Sequence, residues 1–318
     1  MTRIARGVGE AREFQPSALT IGNFDGVHIG HRRLIAQVRE AARKRYVTPS
    51  VLTFDPHPAK VVAPDRAPRL LTSIETRCGI MGLFGIQQIL VLPFTRAIAN
   101  LTPEEFVRDI VAGAMRARVV MVGANFRFGH RQAGDTRVLA ELGKQYGFET
   151  CIAEVVECKG RVASSSAVRA FIEAGDVDNA WRFLAEPYSI AGEVVPGHGV
   201  GSKQTVPTLN LKTSAEVLPK MGVYVTRTLD LNSDRSWNSI TNIGYRPTFA
   251  EAADELSIET FLLEPLGGNP PERIEVQFLH RVRDERKFEN AEALKAQIFR
   301  DVNRAQAFFR HNEQMMKG

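Results

Sequence analysis

Thr20-Ile21-Gly22-Asn23-Phe24-Asp25-Gly26-Val27-His28-Ile29-Gly30-His31 joins a buried-strand pattern to the start of a helix through a glycine-rich turn that carries two histidines. The apolar run Ala18 to Ile21 reads as a parallel strand, and Gly22 to Gly26 is too turn-rich to continue it. Leu34, Ile35, Val38, Ala41 and Ala42 then recur at helical spacing, so His28 and His31 fall on one face of a helix's first turn. Unpaired backbone N–H groups and the positive end of the helix dipole collect there, and two imidazoles would add directed donors for phosphate oxygens. The same spacing suits zinc, but a closed site needs further ligands, and no Cys or other His lies nearby in sequence.

Outward from this turn, strand and helix patterns alternate to about residue 184. Ser50–Phe54, Ile89–Pro93, Val119–Gly123 and Thr150–Val155 are short, apolar and partly β-branched, whereas Ile74–Phe84, Pro103–Met115 and Thr136–Tyr146 carry helical periodicity. Alternation of this kind implies a doubly wound parallel sheet, with ligands bound beyond the carboxyl ends of its strands. The segments expected to converge there are Gly22–His31, Asp55-Pro56-His57-Pro58, Asn125-Phe126-Arg127-Phe128-Gly129 and Ser164-Ser165-Ser166. The serines read as a helix cap that, with Arg169 one turn on, would make a second anion site. Phe126 and Phe128 read either as core or as a stacking wall for a planar ring.

Near Glu186-Pro187 the pattern changes. Tyr188–Val195, Gly222–Leu229, Ser239–Ile243, Leu256–Leu262 and Arg273–Leu279 read as strands without helices between them, and a helix over Ala291–Phe309 closes the chain. Five or six such strands imply a small antiparallel barrel, so the expected domains are 1–185 and 186–318. Within the second, Gly197-His198-Gly199-Val200-Gly201-Ser202-Lys203 lacks the strand–loop–helix setting of a P-loop. Thr208 and Asn210 point to one side of an extended segment and offer oxygen donors suited to Mg²⁺, or else cap turns. Glu259 and Phe261 alternate with Ile258, Thr260 and Leu262; the pattern does not say which face is inward. An inward carboxylate beside a metal-nucleotide is a candidate base, an outward one a solvated strand residue.

A chain of 318 residues with 44% hydrophobic composition accommodates two cores. The net charge of +5 is spread along the length, which suits anionic small substrates and argues against a nucleic-acid partner. Cys78, Cys151 and Cys158 match no metal or redox spacing, as expected of reduced thiols in the cytoplasm. No apolar run is long enough to span a membrane. Oligomeric state is not readable from the sequence.

Seven segments, in this order, resemble the bacterial bifunctional riboflavin kinase/FMN adenylyltransferases, or prokaryotic FAD synthetases. They are Ile21–His31, Leu52–Pro58, Asn125–Gly129, Ser164–Ser166 with Arg169, Pro207–Asn210, Asn242–Phe249 and Arg283–Phe288. The resemblance implies a nucleotidyltransferase domain that makes FAD from FMN and ATP, and a barrel that makes FMN from riboflavin and ATP. In the first domain it places Gly22, Asn23, Phe24, Asp25, His28, His31, Ser164, Ser165, Ser166 and Arg169 at ATP, with the two histidines catalytic. It places Pro56, His57, Pro58, Asn125 and Phe128 at FMN. In the barrel it implies Gly201, Lys203, Thr208 and Asn210 at ATP, Mg²⁺ on Thr208 and Asn210, Glu259 as base, and Arg283 and Phe288 at the flavin. Ser202, Thr205, Val206 and Leu209 depart from the family's usual Arg, Gly, Phe and Ala, and Asn125 from its usual Asp. Loss of an Arg donor near the phosphates bears on the kinase, so the runner-up is an adenylyltransferase whose barrel only binds flavin.

Overall fold

The computed structural model describes residues 1–196, 208–246 and 255–317. By packing, the chain divides into Met1–Ser165 and Ser166–Gly318. Two short helices before residue 186, Ser165–Ala174 and Val177–Leu184, therefore cluster almost entirely with the second unit, although the sequence pattern changes only after them.

The first unit is built on six parallel strands: β1 (Arg3–Arg6), β2 (Ser17–Ile21), β3 (Thr48–Asp55), β4 (Gln88–Pro93), β5 (Ala117–Gly123) and β6 (Glu149–Ala153). Their order is β1-β4-β3-β2-β5-β6. Chain progression reverses beside β2, so the switch in strand order lies between β2 and β5, where such sheets bind ligands. Alternate residues feed two cores. Leu19, Leu52, Leu90 and Val120 pack on one face with Phe106, Val107, Ile110 and Leu139. Ala18, Val51, Ile89 and Val119 pack on the other with helix α1 (Ile29–Arg45), through Ile35 and Val38. Each of those two aliphatic side chains contributes roughly 1.5–3 kcal/mol by burial.

Two features depart from the sequence pattern. β1 was not expected because it is an edge strand of sequence Arg-Ile-Ala-Arg with only Ala5 buried, and a charged edge carries no apolar run. Phe106–Ala114 winds as a π-helix rather than an α-helix, yet still buries Phe106, Val107, Ile110 and Val111. A two-stranded ribbon, β7 (Glu157–Cys158) with β8 (Arg161–Val162), precedes the serine segment.

The second unit contains a closed antiparallel barrel of β9 (Tyr188–Val195), β10 (Thr208–Thr213), β11 (Gly222–Asp230), β12 (Ser236–Arg246), β13 (Glu255–Leu262) and β14 (Arg273–Arg283), in the order β10-β13-β12-β11-β14-β9. Its interior is filled. Thr226 lies 2.8 Å from both Ser239 and Thr241, Thr228 lies 2.8 Å from Ser239, and Thr241 lies 3.0 Å from Thr260. All five hydroxyls are fully buried, so each meets its hydrogen-bonding need within the network. Val223, Val225, Ile240 and Leu279 face outward, where Ala305 and Phe309 of the helix Ala291–Lys317 cover them. His280 pairs with Asp178 at 3.1 Å, which holds the helix Val177–Leu184 to β14 and raises the imidazole above its ordinary value.

Candidate active sites

The loop after β2 is held in a conformation its residues resist. Phe24 has φ 52°, Val27 has φ 39° and Gly26 has φ 75°. Left-handed backbone costs on the order of 1–3 kcal/mol at a non-glycine residue and persists only where surroundings enforce it. Here they do. The buried Asp25 carboxylate accepts from the backbone N–H of Leu71 at 3.0 Å and of Thr72 at 3.2 Å, and the Gly26 N–H donates to Thr72 Oγ1 at 3.1 Å. Ser165 Oγ donates to the Asp25 carbonyl at 2.9 Å, and Arg77 Nη1 donates to the Asn23 carbonyl at 2.8 Å.

His28 caps α1 and His31 lies on its first turn, so the helix stacks their rings with centroids 3.7 Å apart. Phe24 closes on His31 at 5.1 Å. Gly30 leaves the room this needs, because a Cβ there would stand 3.1 Å from the His28 ring. Burial lowers His28 to about 4, and burial, His28 and Arg77 together lower His31 well below its ordinary value. Both rings are therefore neutral near pH 7, and each has a buried Nδ1 without a hydrogen-bond partner among the described residues. Stacked neutral imidazoles with unmet polar atoms at a helix N-terminus suit an incoming anion.

The strand ends converge as the fold requires, in part. Asn23 lies 3.0 Å from His57 Nε2, while Ala59 N–H donates to His57 Nδ1 at 3.1 Å, which joins the loops after β2 and β3. Pro56 is exposed and Pro58 opens the short helix α2 (Pro58–Val62) beside it. After β5, Asn125 is exposed at the tip. Phe128, expected at the flavin, is instead buried against Phe106 and stacked on Phe126, because an isolated bridge to Gly134 turns it into the core. Asp25, expected at ATP, directs its carboxylate to the backbone of residues 71 and 72. Ser166 and Arg169 belong to the second unit, with Arg169 Nη1 3.4 Å from Ser166 Oγ.

In the barrel, register forms the cluster. Asn210 pairs with Glu259 across β10 and β13, and Glu259 pairs with Asn242 across β13 and β12. Directly opposed side chains on one face of a sheet stand about 4.5–5.5 Å apart at Cβ. The carboxylate thus lies between two carboxamides, with Thr208 opposite Phe261 one step along. Ile258, Thr260 and Leu262 are buried inward, so Glu259 is on the outer face, half-exposed, and accepts from Ser257 Oγ at 3.1 Å. Arg283 reaches Asp301 at 2.9 Å and lies 5.7 Å from the Phe288 ring centroid, which fixes the 283–288 segment to the last helix. Gly201 and Lys203 lie outside the described residues, as do Ser202, Thr205 and Val206.

Residues 10–167 match the family model of FAD synthetase and residues 184–309 that of riboflavin kinase. The bifunctional riboflavin kinase/FMN adenylyltransferase of Escherichia coli K12 is 36% identical over 92% of each chain. The chain belongs to the bifunctional riboflavin kinase/FMN adenylyltransferase family. The Pseudomonas fluorescens member is 34% identical over 96% of this chain and 97% of its own. A solved structure described as a macrolide-efflux protein from Streptococcus pneumoniae superposes with TM-score 0.83 at 26% identity, over 96% of this chain and 98% of that one. Among the described residues no helix is long and apolar enough to cross a membrane.

Against this family assignment, the residues missed in sequence are as informative as those found. Leu71, Thr72 and Arg77 brace the histidine loop, and Asn242, which stands in one of the seven matching segments without a role implied there, flanks Glu259. One signal was available for Arg77: it interrupts the apolar face that Ile74, Cys78 and Met81 form on the helix α3 (Ile74–Leu83).

Proposed function

We propose that this chain phosphorylates riboflavin to FMN in its barrel and adenylylates FMN to FAD in its nucleotidyltransferase domain, with domains of labour at 1–185 and 186–318. The observation that carries the reading is the presence of both sites in one chain: the stacked His28–His31 pair on a braced loop, and the Asn210–Glu259–Asn242 row.

For adenylyl transfer the FMN phosphate is already an anionic nucleophile, so the site has to align it with the α-phosphorus and stabilise charge. Neutral imidazoles, the α1 N-terminus and Asn23 supply directed polar groups for that purpose. Their neutrality avoids desolvating two adjacent cations. His57 and Asn125 border the FMN side, and Ser164 and Ser165 contribute donors to the phosphates. For the kinase step riboflavin's hydroxyl is neutral, and Glu259 accepts its proton: although it is on the outer face, it is only partly exposed and stands between Asn210 and Asn242 rather than in open solvent. Thr208 and Asn210 offer a hydroxyl and a carboxamide oxygen, hard donors of the kind Mg²⁺ takes together with nucleotide phosphates. The metal, when bound, neutralises charge on the transferred phosphoryl group. The three free cysteines and the use of ATP fit a cytoplasmic enzyme.

Incubation with riboflavin, ATP and Mg²⁺, followed by chromatographic separation of flavins, tests both steps. FMN and FAD are expected. FAD from FMN but none from riboflavin would reduce the barrel to a flavin-binding module, and neither product would refute the proposal.

A further inference from the structure

Arg77 is the largest fully buried side chain among the described residues, 1% exposed. Its guanidinium donates from Nη1 to the Asn23 carbonyl at 2.8 Å and from Nε to the Ser73 carbonyl at 3.3 Å. Among the described residues no carboxylate pairs with it. An arginine stays protonated under all ordinary conditions, so this is a permanent buried charge held by two carbonyl dipoles. A desolvated cation without a counter-anion is expensive, by several kcal/mol before compensation. Its uncompensated charge is available to an incoming anion.

Its position shows what that is. The carbonyl it grips belongs to Asn23, in the strained loop that leads into His28. Carbonyl and N–H point in opposite directions across one planar peptide, so fixing the Asn23 carbonyl also fixes the direction in which the Phe24 N–H is presented. Among the described residues that N–H donates to no protein acceptor. Arg77 also acts on the histidine pair through space, since it helps hold His31 neutral.

We propose that Arg77 is a positioning residue of the adenylyl-transfer site, whose buried guanidinium sets the Asn23–Phe24 peptide and supplies the positive potential that nucleotide phosphates complete. The inference rests on the adenylyl-transfer reading of this domain. It gives the triphosphate site a permanent positive charge beneath the loop, where the neutral histidines supply only dipoles. No proton leaves Arg77 and no bond to it forms or breaks; it acts through the loop and through its field.

Arg77→Met keeps the length and removes the charge, and Arg77→Lys keeps the charge. Both full-length variants are to be assayed for FAD formation from FMN over a range of ATP concentrations, with riboflavin phosphorylation in the same samples as control. Loss of a charged hydrogen bond predicts a rise of about tenfold or more in the KM for ATP in Arg77→Met, with kinase rates within about twofold. Arg77→Lys should recover most of that rise, and the His31 imidazole, followed by NMR, should titrate at higher pH in Arg77→Met than in wild type. An unchanged KM and an unmoved His31 titration in Arg77→Met would overturn the proposal. So would equal losses in Arg77→Lys and Arg77→Met, because a purely steric role gains nothing from the retained charge. Failure of the wild type itself to form FAD from FMN would instead refute the underlying reading.

Discussion

Nucleotide binding in the first domain should take up a proton, and His28 sets the size of the effect. In the free protein burial holds this imidazole at about 4 against an ordinary 6.5, so it is almost wholly neutral at pH 5.5. A polyphosphate beside the ring favours the imidazolium, because an anion within a few ångströms lowers the energy of the charged form. With the bound ring back at its ordinary value, occupancy at pH 5.5 rises from roughly 0.03 to roughly 0.9 proton, whereas at pH 8 both are below about 0.05. The complex binds more protons than the free protein, so affinity rises as pH falls. Between pH 8 and 5.5 the gain is about tenfold, or about 1.4 kcal/mol. Folding has the opposite sign. The unfolded chain accepts at 6.5 the proton that folded His28 refuses until about 4, so the free protein loses stability as pH falls through that window. Isothermal calorimetry at both pH values, in buffers of different ionisation enthalpy, measures the uptake directly. Comparison of wild type with His28→Gln removes the contribution of ATP bound at the kinase site, which both share. Equal uptake in the two proteins at pH 5.5 would refute the reasoning.

Three further outcomes follow from other contacts. Gly30→Ala places a Cβ 3.1 Å from the His28 ring and should slow FAD formation from FMN by about tenfold or more, since small misplacements of aligned groups are costly. Flavin chromatography should show riboflavin phosphorylation unchanged in that variant. Glu259→Gln should reduce riboflavin phosphorylation by about 10²–10⁴-fold while FMN adenylylation continues, the range expected on loss of a general base. Thr226→Val withdraws the hydroxyl shared by Ser239 and Thr241 and should destabilise the barrel by about 1–3 kcal/mol. Urea unfolding followed by tryptophan fluorescence reads this out, because Trp181 and Trp237 both belong to the second unit.

The recognisable parts of both sites were those whose chemistry is local. The Gly22–His31 turn could be read as a strand, a turn and a helix start because periodicity, glycine and capping act within a few residues of one another. Thr208 and Asn210 could be placed on one side of an extended segment for the same reason. Phe128 shows the limit of such reading: its neighbours in sequence allow a flavin wall or a core position, and only the bridge to Gly134 and the contact with Phe106 place it in the core. β1 shows another, since a charged edge strand is recognised by its partner β4 and not by its own residues.

By itself, then, the amino-acid sequence determined the alternation of strand and helix from Ala18 onward, the change of architecture near residue 186, and the residue types at both sites, all properties of short windows. Tertiary structure decided what depends on register and burial between distant segments. It packed two helices with the barrel before that change and placed Asn242 beside Glu259 on the outer face. It also took both histidines out of water and so made them neutral. Beneath their loop it buried Arg77, whose effect comes from desolvation and from the Asn23 carbonyl 54 residues away, a distance at which no local pattern carries information.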